Sequence, residues 1–137
     1  MGDRRATTKR IVAVRAQMHR TAEWELARIR QEQAALERNR ASVMETLNSA
    51  MFGPLLVDMV SRTLKRLSQE AARLAAEEAT QAERVQAQAF ALKRAERMAE
   101  RVVRETRAHE DRKAFQELTE SAALRPGAAA SKDASLT

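Results

Sequence analysis

A chain of 137 residues with three Gly, two Pro, no Tyr and no Cys excludes disulfide scaffolds and thiolate metal sites. Of its apolar residues 28 are Ala, the strongest helix former and a poor source of buried surface, so any core is thin. Charged residues make up 32% and the net charge is +6, the excess lying in residues 1–30, which carry eight basic and three acidic side chains. Beyond that stretch Arg and Glu alternate as on a solvated helix face.

The first six residues read as a flexible N-terminus. They are basic but precede no apolar core of the kind a secretory signal needs. Met1 to Arg20 is Arg-rich and acid-poor like a mitochondrial transit peptide, yet its apolar pattern runs on into the following segment. Ala6 stands where myristoylation calls for Ser or Thr. Residues 7–50 contain neither Gly nor Pro and predict a helix, with Thr7 or Thr8 as its N-cap. Met51 to Leu55 predicts a turn, Gly53 supplying stop chemistry and Pro54 the first position of a new helix. Residues 55–124 again lack Gly and Pro and predict a second, longer helix, ended by Arg125-Pro126-Gly127. The Ala/Ser-rich tail to Thr137 reads as disordered, so the chain divides into residues 1–6, a single domain at 7–124 and a tail at 125–137.

Two helices joined by so short a turn pack antiparallel. The apolar row of the first is read as Ile11, Val14, Met18, Ala22, Leu26, Ile29, Gln33, Leu36, Arg40, Val43, Leu47 and Ala50, with a four-four-four stutter between Val14 and Leu26. The row of the second is Val57, Val60, Leu64, Leu67, Ala71, Leu74, Glu78, Ala82, Val85, Ala89 and Leu92. Seven facing pairs, from Ala50 with Val57 to Ile29 with Glu78, have residue numbers summing to 107, and the remaining four stay within one of that value. The fold expected is therefore all-α: two long helices in an antiparallel coiled-coil hairpin turning near Gly53-Pro54, with Gln33, Arg40 and Glu78 as polar seam positions that set the pairing. At about 65 Å and about 100 Å the helices are unequal, so Arg101 to Leu124 projects past the first as an overhang.

No Gly-rich phosphate loop, nucleophile elbow or catalytic triad occurs, and a two-helix hairpin has no deep pocket, so catalysis and a bound cofactor are not expected. His19 and Glu23 at i and i+4 supply only two metal ligands, and His109-Glu110-Asp111 reads as a charged surface, so no metal site is expected either. Interaction surfaces are the better candidates. Trp24 points away from the seam; Phe52 and Leu55 belong to an apolar tip; Phe115 and Leu118 lie in the overhang. The basic residues before the first heptads lack the Asn/Ala pattern of a bZIP basic region and carry no interleaved aromatics, so no specific nucleic-acid binding is expected. An alternative lays Ile11, Val14 and Met18 on a membrane surface with the Arg face towards lipid headgroups. No apolar run reaches the ~20 residues of a membrane span, and the expected location is cytoplasmic.

The segments RIVAVRAQMHRTAEWELARIRQEQAALER and KRAERMAERVVRETRAHEDRKAFQELTE resemble the two halves of the flagellar and type III secretion export stalk family, the FliJ- and YscO-like proteins. The resemblance covers most of Arg10 to Glu120 and rests on recurring Arg and Glu in a short, cysteine-free hairpin. This chain departs from the pattern in its early turn and short first helix. The resemblance implies a non-enzymatic stalk, similar to the γ subunit of rotary ATPases, inserted in a hexameric export ATPase and touching the export gate protein and substrate chaperones. It would then work at the cytoplasmic face of the inner membrane. Carried onto this chain, the ring-facing groups are Arg15, Arg20 and Arg28 on the first helix and Arg101, Arg104 and Arg107 on the overhang. The alternatives are a generic structural coiled-coil adaptor and a basic nucleic-acid- or membrane-surface-binding protein.

Overall fold

The computed structural model describes residues 2–49 and 53–125. Two helices account for nearly all of them, α1 (Gly2–Ser49) and α2 (Pro54–Ala123), packed as an antiparallel hairpin with no strand among the described residues. The fold class and the place of the turn are those read from the sequence. Contacts divide the chain into two compact units, Val12–Arg94 and a second made of Met1–Ile11 with Ala95–Thr137.

In the unit Val12–Arg94 the buried and half-buried positions of α1 include a row at Arg15, His19, Ala22, Leu26, Ile29, Gln33, Leu36, Val43 and Leu47, flanked by Val12, Ala16 and Glu32. Those of α2 include a row at Val60, Leu64, Leu67, Ala71, Leu74, Glu78, Gln81, Val85, Gln88 and Leu92, flanked by Leu56, Thr63, Glu70, Glu77, Ala89 and Ala91. Both rows alternate three and four residues, the repeat that keeps one helix stripe against a partner; only Arg40 interrupts it, exposed and 3.8 Å from Glu37. Pairing them head to tail gives residue numbers summing to 107 from Arg15 with Leu92 to Leu47 with Val60. The stutter read at Val14–Leu26 is absent. Ile11, Val14 and Met18 are 42%, 58% and 41% exposed, and Thr8, Arg15 and His19 occupy the inward positions instead. On α2, likewise, Gln81 is buried where Ala82 was expected, and Gln88 is half-buried beside Ala89, the position expected. The physical reason is periodicity: an unbroken heptad keeps the well-filled layers at Leu26, Ile29, Leu67 and Leu74 in register, which a stutter would rotate away. Val57, expected in the seam, is also exposed.

The other unit corrects the expected start of the first helix. Residues 2–6 are helical and not a flexible arm, and Thr7 and Thr8 are not caps. Their hydroxyls donate back to the carbonyls of Asp3 (2.7 Å) and Arg5 (2.9 Å), as helix-interior threonines do. Asp3 in the first turn complements the positive end of the helix dipole. Because α1 reaches Gly2, α2 stays covered further than expected: Val102 is 2% exposed, Thr106 is buried, and Arg4 Nη1 lies 3.1 Å from Glu105 Oε2. The uncovered stretch of α2 begins at Arg107 and not at Arg101.

Gly53 opens α2. Its carbonyl accepts from the backbone N–H of Leu56 (3.1 Å) and Val57 (3.4 Å), and Pro54 takes the first helical position. No described residue has a positive φ, and Gly53 acts as a helix start. α2 ends at Ala123 in a tightened turn, Arg125 N donating to Ala122 O at 3.3 Å, just before Pro126. The tail from Pro126 lies outside the described residues.

Candidate functional site

The candidate contacts sort by their place in the heptads. Trp24 stands midway between the inward positions Ala22 and Leu26 and is 80% exposed. Arg20 is exposed and donates to Gln17 Oε1 at 3.0 Å. Arg28 is held on its own helix between Glu25 (2.9 Å) and Glu32 (3.0 Å), and Arg73 on α2 is held likewise between Glu70 and Glu77. The hydrogen bond to Glu25, then its charge and that of Glu32, push the Arg28 guanidinium further up. Such a clamped arginine is a less available contact than a free one. Arg15 is half-buried in the seam, with Nη1 4.0 Å from Met18 Sδ, so it is not the outward group expected.

Arg101, Arg104 and Arg107 are all exposed on α2 in the unit that contains the start of α1. Near them the exposed Arg4, Arg5, Lys9 and Arg10 give Gly2–Ile11 four basic residues against Asp3 alone. Arg4, Thr7, Ile11, Met98, Arg101 and Val102 line a shallow depression of about 360 Å³ here. Phe115 and Leu118 are each 71% exposed on the stretch of α2 that no described residue covers. Phe52 and the side chain of Leu55 lie outside the described residues.

Of the polar seam positions, Gln33 and Glu78 are those read from the sequence, whereas Gln81 and Gln88 were not. Gln81 Nε2 donates to the Ala22 carbonyl at 3.0 Å, a buried bond between the helices. Arg30 Nε donates to Glu78 Oε1 at 3.2 Å, and the Gln33 amide, followed by Arg30, holds the Glu78 carboxyl below the ordinary carboxylate range. Gln88 Oε1 is buried without a hydrogen-bond partner among the described residues, and Gln88 helps line an open groove of about 480 Å³ with Met18, Thr21, Gln81, Arg84 and Ala87. The signal that identifies these glutamines is an unbroken heptad count; hydropathy alone pointed to the neighbouring alanines.

His19 Nε2 lies 3.4 Å from Glu23 Oε1, an ordinary i, i+4 pair. Among the described residues no three His, Cys, Asp or Glu side chains converge as metal ligands, and no helix is long and apolar enough to cross a membrane. The arrangement offers charge, exposed apolar groups and a paired-helix surface, which is the equipment of molecular recognition. No family model, curated protein or solved structure matches the chain.

Proposed function

We propose that this chain is a non-enzymatic stalk or adaptor of a flagellar or type III export apparatus, acting at the cytoplasmic face of the inner membrane. The observation that carries the reading is the recurring Arg/Glu pattern of the two helices, set on an antiparallel hairpin whose basic residues stay exposed at Arg4, Arg5, Lys9, Arg10, Arg101, Arg104 and Arg107. Many exposed guanidinium groups without a deep apolar anchor suit a helix pair that turns inside an acidic ring, since long-range attraction holds it without one fixed contact. A hexameric export ATPase is the primary partner, and the export gate protein and substrate chaperones are the others. Adding the chain at substoichiometric amounts to the export ATPase of the same organism should raise ATP turnover severalfold. Reversing Arg101, Arg104 and Arg107 to Glu should abolish the rise. No stimulation by the unaltered chain sinks the proposal.

A second reading draws on Val14 and Met18, apolar groups left exposed on α1 with Arg20 beside them: attachment to an anionic lipid surface. Flotation with anionic vesicles that disappears in high salt would favour it.

A further inference from the structure

The heptad row of α2 changes character at Thr106. From Leu92 up to that point the inward positions are apolar, with Ala95 and Val102 buried. The same row continued past it falls on His109, Lys113, Gln116 and Glu120, all polar and exposed. Apolar residues recur instead at Ala108, Phe115, Leu118 and Ala122, spaced seven, three and four, which is one stripe on a different face of the helix, with Ala114, Ala123 and Leu124 off it. Every described residue from Arg107 to Arg125 is exposed, so this stripe has no partner among the described residues.

The charges around the stripe decide what covers it. Residues 107–125 carry four basic and four acidic side chains, a neutral total that gives an anionic membrane or nucleic acid nothing to attract. The first half (Arg107, Glu110, Asp111, Arg112, Lys113) is net positive and the second (Glu117, Glu120, Arg125) net negative, so the segment is complementary to itself when reversed. Placing Phe115 opposite Leu118 brings Asp111 opposite Ala122 and within one turn of Arg125. A parallel alignment sets Asp111 against Asp111. We propose that this stripe docks the same segment of a second copy of the chain, antiparallel and two-fold symmetric, with Phe115 of each copy packed on Leu118 of the other. A helix pair about 25 Å long buries less than the ~1,600 Å² of a standard stable interface, so the dimer is a micromolar one that forms and dissociates readily.

Sedimentation velocity on the full chain tests this. The expected result is a monomer at low micromolar concentration passing to a dimer at high micromolar. Phe115→Asp and Leu118→Asp should each weaken the dimer at least tenfold with helicity unchanged. Met59→Asp, which removes an exposed apolar group in the other unit, should leave it intact. Orientation is read by cysteine cross-linking in this cysteine-free chain: an equal mixture of Phe115→Cys and Leu118→Cys should yield mostly the mixed disulfide. A monomer at every concentration, a dimer indifferent to both Asp substitutions, or preferential cross-linking of Phe115→Cys to itself would each overturn the proposal. Because no ATPase is present, these outcomes are separate from the fate of the stalk proposal.

Discussion

Leu74, 2% exposed, and Trp24, 80% exposed, mark the two extremes of what a side chain contributes here. Leu74→Ala should cost about 2–4 kcal/mol, because a two-helix seam has few neighbours able to close the cavity. Trp24→Ala should change stability by less than about 0.5 kcal/mol. Thermal melts followed by circular dichroism compare them, and equal losses would mean the seam is misplaced. Gln88 behaves in the opposite sense. Its buried carbonyl oxygen has no partner among the described residues, so Gln88→Leu removes an unmet polar group while keeping nearly the same volume. The melting temperature should rise by a few degrees, an effect of about 1 kcal/mol in the favourable direction.

Among the element-scale interactions, the ion pairs stitch each helix to itself more often than to its neighbour. Arg28 with Glu25 and Glu32, Arg62 with Asp58, and Arg73 with Glu70 and Glu77 all join residues three or four apart, which supports long helices carrying few large apolar groups. Arg30 to Glu78 and Gln81 to Ala22 join α1 to α2 and pin their pairing. Two of these carboxylates lie below their ordinary range, Glu70 through its hydrogen bond to Arg73 and Glu78 through Gln33 and then Arg30. A depressed folded-state pKa contributes stability that is present above the unfolded value and lost as pH falls through the folded one. The melting temperature should therefore be level near neutrality and fall in acid below the ordinary carboxylate value of 4.5. Glu78→Gln should lessen that fall. An acid profile unchanged by this substitution would show that the bond between the helices is not maintained in solution.

On the scale of the whole molecule, protection varies along α2 more than any single contact implies. Leu67, Leu74, Gln81, Ala95, Val102 and Thr106 are buried, and all of residues 107–125 are exposed although helical to Ala123. Helix without tertiary cover is marginal in water, because hydrogen bonds alone barely offset the entropy of ordering the chain. Amide hydrogen exchange should be slowest around Leu67 to Gln81 and fastest beyond Arg107 at low concentration. It should slow beyond Arg107 at high concentration, where the second copy covers Phe115 and Leu118. Uniform protection of α2 at low concentration would contradict this gradient.

The sequence by itself determined the two helices, the place of the turn and the pairing sum of 107. Helix propensity, the scarcity of Gly and Pro, and the three-four spacing of Leu and Ile are local properties that need no partner to be read. Trp24 between two inward positions was legible for the same reason, as were the exposed Phe115 and Leu118. Only the tertiary structure decided which of two neighbouring rows turns inward where apolar residues are sparse. Between Val12 and Ala22 hydropathy favours Val14 and Met18, but the layers at Leu26, Ile29, Leu67 and Leu74 impose their phase along a continuous helix and bring Arg15 and His19 in. The same phase placed Gln81 and Gln88 in the seam. Helical order before Thr7, and with it the cover over Val102, was hidden because a threonine reads equally as a cap or as an interior residue, and contact with α2 is what distinguishes them.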